Sequence, residues 1–111
     1  MTKSLEGMVL LIGPYEYIVK SYDHSASDSN TLGYCDYNSE TICVSSKLSM
    51  HVSKEVLLHE VIHATLSAYG GPLRQLGFTP DMNEGVTDAL GKGLLQVIKD
   101  NPDLMKYILG K

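Results

Sequence analysis

The chain has 111 residues, 43% hydrophobic and 20% charged, with a formal net charge of −4 at pH 7. This is ordinary globular composition for a single domain over 1–111, and it excludes a disordered or fibrous chain. No cluster of lysine and arginine marks a nucleic-acid surface and no apolar run approaches a membrane span, so neither nucleic acid nor membrane is expected as a partner.

In chain order, residues 1–7 lack the long apolar core of a secretory signal, which predicts a cytoplasmic protein. A short apolar run, Met8 to Ile12, ends at the turn pair Gly13-Pro14. Tyr15-Glu16-Tyr17-Ile18-Val19 is aromatic and β-branched, hence a strand. The polar, aperiodic stretch 21–31, "SYDHSASDSNT", is expected to be a mobile loop. "LGYCDY" and "TICVSS" flank the turn-forming Asn38-Ser39-Glu40 and predict a hairpin with Leu32, Tyr34, Ile42 and Val44 on one face. Cys35 and Cys43 are placed to face each other across that hairpin. Without a secretory signal they are expected to be reduced, small buried hydrophobes; a disulfide or a second metal site is the alternative. The first half is thus expected to form a small, mainly antiparallel sheet.

The second half reads as helical. Ser53 is the expected N-cap of a first helix, with Glu55 in the first turn where the helix dipole favours an acid. Val56, Leu57, Leu58, Val61, Ile62, Ala64, Leu66 and Ala68 are too many apolar residues for one narrow stripe, so this helix should be largely buried. Gly70-Gly71-Pro72 stops it. Thr79-Pro80-Asp81 starts a second helix running to about Lys99, and Asn101-Pro102-Asp103 opens a short final one.

The first helix carries "HEVIH", residues 59–63. Residue usage in this chain predicts roughly one accidental match to such a pattern per hundred chains, so the motif is suggestive by itself. On a helix His59 and His63 lie one turn apart on the same face and can converge on one ion. Glu60 sits one residue round, beside such an ion, where it can act as general base toward water. Three ionisable groups on an apolar helix would cost several kcal/mol to bury without partners, about the scale that a metal offsets. A catalytic zinc needs a third protein ligand and an open position. Glu84 and Asp88, in "NEGVTDAL" at 83–90, are again four apart on one face, and either is spaced to supply it. Like charges at that spacing, and Gly91 and Gly93 within the same helix, break local rules where a site would be expected.

His59-Glu60-Val61-Ile62-His63 followed by Asn83-Glu84-Gly85-Val86-Thr87-Asp88 resembles the zinc site of the thermolysin-type metallopeptidases, the gluzincins. The resemblance implies that Glu84 is the third ligand to Zn²⁺ and that Asp88 hydrogen-bonds His59 from behind. It covers about 30 of the residues, and the large second lobe of thermolysin has no counterpart. The whole chain more nearly resembles compact single-domain zinc peptidases: ImmA/IrrE-type proteins and small gluzincin-like proteins of phages and integrated elements. Members of the former group cleave transcriptional repressors, so a peptide or protein substrate is implied. The tyrosine and histidine that thermolysin-like enzymes place near the oxyanion come from segments missing here; Tyr69, His51, Tyr34 and His24 are the available substitutes. Arg74 is a further candidate for holding a substrate carbonyl or carboxylate.

Together these features predict an α+β domain: a small antiparallel sheet packed on the HExxH helix, then an acidic helix that completes a minimal zincin-like site. The expected function is that of a zinc-dependent peptidase with ligands His59, His63 and Glu84, general base Glu60, and Asp88 supporting His59. A substrate peptide would add as a strand along residues 41–46. Two alternatives are a non-catalytic zinc-stabilised interaction module of a phage or mobile element, and an HExxH hydrolase of another bond. The module predicts full coordination by protein, through His51 or a cysteine.

Overall fold

Alternating and continuous apolar runs decide how the strands are ordered. The structure, a computed structural model, describes residues 5–23 and 32–110. Its strands are β1 (Val9–Ile12), β2 (Tyr15–Tyr22), β3 (Gly33–Asp36) and β4 (Thr41–Ser45). The helices are α1 (Met50–Tyr69), α2 (Gly71–Gln75), α3 (Pro80–Asp100) and α4 (Pro102–Leu109). The class is α+β, as expected, but the sheet is mixed and not simply antiparallel. Its order is β1-β2-β4-β3, with β1–β2 and β3–β4 antiparallel and β2–β4 parallel. Ile42, Cys43, Val44 and Ser45 are all buried, so β4 is covered on both faces. Such a strand gains most from the middle of a sheet, which explains its place between β2 and β3.

The apolar run before Gly13-Pro14 is a strand, β1, which the sequence reading left unassigned. Ile12 pairs with Tyr15 across the two-residue loop Gly13-Pro14. Gly13 there has φ 58°, the left-handed value that a tight hairpin turn asks of its first central residue. β2 also runs on through Ser21 and Tyr22, which pair with Val44 and Ser45, so the expected loop begins later than residue 21. The remainder of that loop, 24–31 with His24, lies outside the described residues.

The β3–β4 register overturns two expectations. Tyr34 pairs with Cys43 and Cys35 with Ile42, so Tyr34 shares a face with Cys43 and not with Ile42 or Val44. The two cysteines therefore lie on opposite faces of the hairpin, and neither is in a disulfide. Cys35 joins Tyr17, Val19, Ile42 and Val44 on the face that packs against α1, while Cys43 lies against Tyr34. Burial pushes the Cys35 thiol up to about 12, with nearby Glu60 adding to the rise. Its thiolate at pH 8 is then on the order of 10⁻⁴ of the total. Iodoacetamide at pH 8 is expected to label Cys35 at least about 100-fold more slowly than a free cysteine, and buried Cys43 slowly as well. Both should react at the free rate in denaturant. Mass-resolved labelling checks this, and a fast thiol in the native protein would contradict the register.

Helix α1 lies between the sheet on one side and α3 on the other. This explains its apolar residues all round, most of them half-buried against one neighbour or the other. It begins at Met50, before the expected Ser53, with Ser49 as N-cap accepting from the Val52 N–H at 3.3 Å. Its first turn holds no acid. Gly70 ends it, and Pro72 falls in the first turn of α2 instead of simply breaking the chain. Thr79 caps α3 as expected, accepting from the Met82 N–H. Two glycines set the spacing of the layers. A Cβ on Gly33 would stand 2.6 Å from Val56 Cγ1 and 2.8 Å from the Cys43 carbonyl oxygen, so β3 is pressed against α1. One on Gly91 would lie 3.6 Å from His59 Cα, where α3 crosses α1. No described helix is long and apolar enough to cross a membrane.

Candidate metal centre

The close crossing of α1 and α3 brings one turn of each helix together. His59 and His63 project from α1 toward Glu84 on α3. His59 Nε2 stands 2.9 Å from Glu84 Oε1, and His63 Nε2 stands 3.2 Å from Glu84 Oε2. One ligand-type atom from each of the three residues lies within 4.8 Å of the others, so the group could hold a metal ion. The expected trio is thus brought together. Both imidazoles present the same nitrogen to the carboxylate, and their other nitrogens turn away to second partners.

Those partners differ from expectation in one respect. Asp88 does face His59 Nδ1, but at 3.9 Å, beyond hydrogen-bond length, and Lys92 Nζ holds its Oδ2 at 3.3 Å. The shorter contact is on the other ring: His63 Nδ1 lies 3.0 Å from Asn83 Oδ1. A carbonyl oxygen only accepts, so this bond places the proton on Nδ1 and leaves the Nε2 lone pair free for an ion. Thr87, fully buried, donates its hydroxyl to the same Asn83 oxygen at 3.4 Å. The sequence reading gave Asn83 and Thr87 no separate role. Their four-residue spacing, one turn on the face that meets α1, was the available signal.

Glu60 is buried, at 7% exposure, beside this group and not within it. Burial raises its carboxyl pKa above the usual range; His59 and His63 oppose that shift and Glu84 reinforces it. A buried carboxyl of raised pKa next to imidazoles, facing a cavity, is the environment of a group poised to take up a proton.

The centre lies at the junction of two cavities. One, of about 640 Å³, runs between β3, α1 and α3 and is lined by Gly33, Cys35, Val56, His59, Glu60 and Asp88 among others. The second, of about 520 Å³, is bordered by Leu66, Leu73, Arg74, Phe78 and Pro80. Tyr37, His63 and Glu84 line both. Tyr37 was not among the sequence candidates; its signal was a bulky aromatic within the polar hairpin turn. Tyr37 is about half exposed, and its partial burial, with the Glu60 and Glu84 carboxylates nearby, pushes its phenol up to about 12 and keeps it a hydrogen-bond donor.

Of the candidates named for the oxyanion, Tyr34 lines the first cavity. Tyr69 stands near Gly13 at the end of α1, and His51 pairs with Glu55 at 3.1 Å; neither lines either of these two cavities. Arg74 lines the second cavity.

The free edge of the sheet beside the centre is β3, not the expected 41–46 segment, because β4 is interior. The Ser45 N–H donates to the Leu32 carbonyl at 2.9 Å, so by antiparallel alternation Gly33 and Cys35 direct their backbone groups away from β4. Comparison of the chain with protein-family models, with curated proteins and with solved structures returns no match.

Proposed function

We propose that the protein is a zinc-dependent peptidase with a minimal zincin-like plan. The observation that carries this reading is the convergence of His59, His63 and Glu84 beside the buried Glu60. Two imidazoles and one carboxylate form a donor set that suits catalytic zinc, which keeps a position open. Among the described residues the group stops at three, which favours a catalytic site over a fully coordinated structural one. When bound there, zinc supplies Lewis-acid polarisation of a carbonyl and a lowered pKa for water.

The protein's own groups then divide the remaining work. Glu60 takes the proton from the attacking water and passes it to the leaving amine. Tyr37, at the junction of the two cavities, donates its O–H to the carbonyl oxygen as negative charge develops. Gly33 and Cys35 offer backbone N–H and C=O groups to an extended peptide as an added strand. Asn83 holds the His63 ring in orientation, and Asp88 lies behind the His59 ring, 3.9 Å from its Nδ1.

The test joins metal content to hydrolysis. Protein supplemented with zinc is expected to carry one zinc per chain by elemental analysis and to cut an unstructured polypeptide such as casein. Chelation should abolish the cutting and zinc should restore it. Tyr37→Phe should keep the zinc while lowering turnover by roughly 10²-fold, the scale of a lost oxyanion donor. A protein that fills with zinc yet cuts no peptide in an unbiased library would overturn the peptidase reading.

A further inference from the structure

The two cavities that meet at the metal centre differ in charge. Four acids line the first: Glu55, Glu60, Glu84 and Asp88. Its lysine, Lys92, is already paired with Asp88 at 3.3 Å. In the second, Glu84 is the sole acid and Arg74 the sole lysine or arginine. Glu84 faces both imidazoles, so a metal held there engages its carboxylate. Arg74 makes no ion pair or side-chain hydrogen bond with another described residue. Its guanidinium lies back over the Gly70-Gly71 junction, where added Cβ atoms would stand 3.7 and 3.9 Å from its nitrogens. The backbone around it is fixed as well. Across the turn at Gly77, φ 84°, the Phe78 N–H donates to the Leu73 carbonyl at 3.0 Å and closes α2. Leu66, Leu73, Phe78 and Pro80 make the cavity wall largely apolar around this single cation. A cavity of about 520 Å³ is on the order of 10 Å across, the reach of three extended residues at most.

We propose that the second cavity is a specificity pocket, in which Arg74 selects substrates carrying a carboxylate within about two residues of the scissile bond. This rests on the peptidase reading above. A guanidinium binds a carboxylate through two parallel N–H···O bonds, which a neutral amide does not reproduce. The carboxylate is that of a glutamate or aspartate side chain or of the substrate's C-terminus. A methylene stem lies against the apolar wall while the charged tip reaches Arg74. Thr79 and Pro80 bring the first turn of α3 to the same wall, and the positive end of that helix dipole adds to the attraction. In the first cavity the same carboxylate would meet like charges. The difference between the cavities therefore also sets the direction in which a substrate lies across the centre.

The test incubates the zinc-loaded full chain with a peptide library of randomised sequence and reads the cut bonds by mass spectrometry. Cut sites should be enriched in Glu, Asp or chain ends at one place within about two residues of the bond. Matched peptides with Glu, Gln or Lys at that place, and a pair ending there as free acid or amide, separate side-chain from C-terminal recognition. Glu over Gln, or acid over amide, should be favoured about tenfold or more in kcat/KM, the scale of a charge-assisted hydrogen bond. Calorimetry on zinc-loaded Glu60→Gln reads binding without cutting, and the same pairs should differ as much in Kd. Arg74→Gln should bring both ratios to within about twofold, since the charged donor is gone. Arg74→Glu should turn the preference toward Lys. Arg74 is exposed, so both variants should keep their zinc and their helical circular dichroism. Cutting without discrimination, or a ratio that survives Arg74→Gln, overturns the pocket assignment and leaves the peptidase reading standing. A zinc-loaded protein that cuts nothing in the library overturns both.

Discussion

Replacing Glu60 by glutamine is expected to leave one zinc per chain while turnover falls by at least about 10²-fold, the usual scale for a lost general base. Glutamine matches the shape of glutamate, so the buried site should keep its packing, and His59, His63 and Glu84 remain to hold the ion. The same substitution has a second consequence, which needs no substrate. The fold raises the Glu60 pKa, chiefly by burial, so it favours the protonated form. The contribution of this group to stability is therefore full below its unfolded pKa and is lost as pH rises through its folded pKa. In chelator-treated protein, Glu60→Gln should melt higher than the parent at pH 7. The gain should shrink toward zero below about pH 4, where the parent carboxyl is protonated in both states. Thermal melts across pH and metal analysis measure the two effects on one preparation. If the variant loses its zinc, Glu60 is holding the metal and the division of roles is wrong.

The candidate metal trio was legible because its spacing is local. A spacing of four from His59 to His63 fixes one helix face whatever the rest of the chain does, and the cap at Thr79 places Glu84 one turn into α3. The carboxylate choice was less local. Spacing allowed Glu84 or Asp88, the resemblance favoured Glu84, and the structure separates them by distance. The readings that failed depended on pairing between distant segments. Ile42-Cys43-Val44 is apolar on both faces, a sign of a central strand, but nothing in its immediate neighbours names β2 as the parallel partner. With β4 taken as an edge, the open edge of the sheet was placed on the wrong segment. The hairpin register differed by one residue, enough to put Tyr34 and Cys35 on the opposite faces from those expected. Tyr37 was missed for a similar reason. A four-residue turn pinned by Asp36 Oδ1, which accepts from the Asn38 and Ser39 N–H groups at 3.0 and 3.3 Å, sets the start of that loop, and sequence patterns do not report which cavity the ring meets.

Glu84→Ala should abolish tight zinc binding, whereas Asp88→Ala and Asn83→Ala should each weaken it by roughly 10–100-fold. Glu84 spans the crossing of two helices and touches both imidazoles at their Nε2 atoms, at 2.9 and 3.2 Å. Its loss leaves two nitrogens from one helix, too few donors for a tight site. Asp88 and Asn83 act one step back, on the Nδ1 atoms. Their distances rank them, 3.0 Å for Asn83 on His63 against 3.9 Å for Asp88 on His59. Asp88 is also partly engaged by Lys92, while Asn83 is steadied by the buried Thr87 hydroxyl. Asn83→Ala should therefore cost at least as much affinity as Asp88→Ala. Lys92→Ala should cost little, since it frees Asp88 to close on His59. Competition titrations against a calibrated chelator put all four variants on one scale. Should Asp88→Ala empty the site while Glu84→Ala stays within about tenfold of the parent, the ligand is Asp88. The two carboxylates would then have to exchange places by rotation of α3 about its axis, carrying Asn83 off His63. In that case Asn83→Ala would have no effect on affinity, an independent mark of the exchanged arrangement.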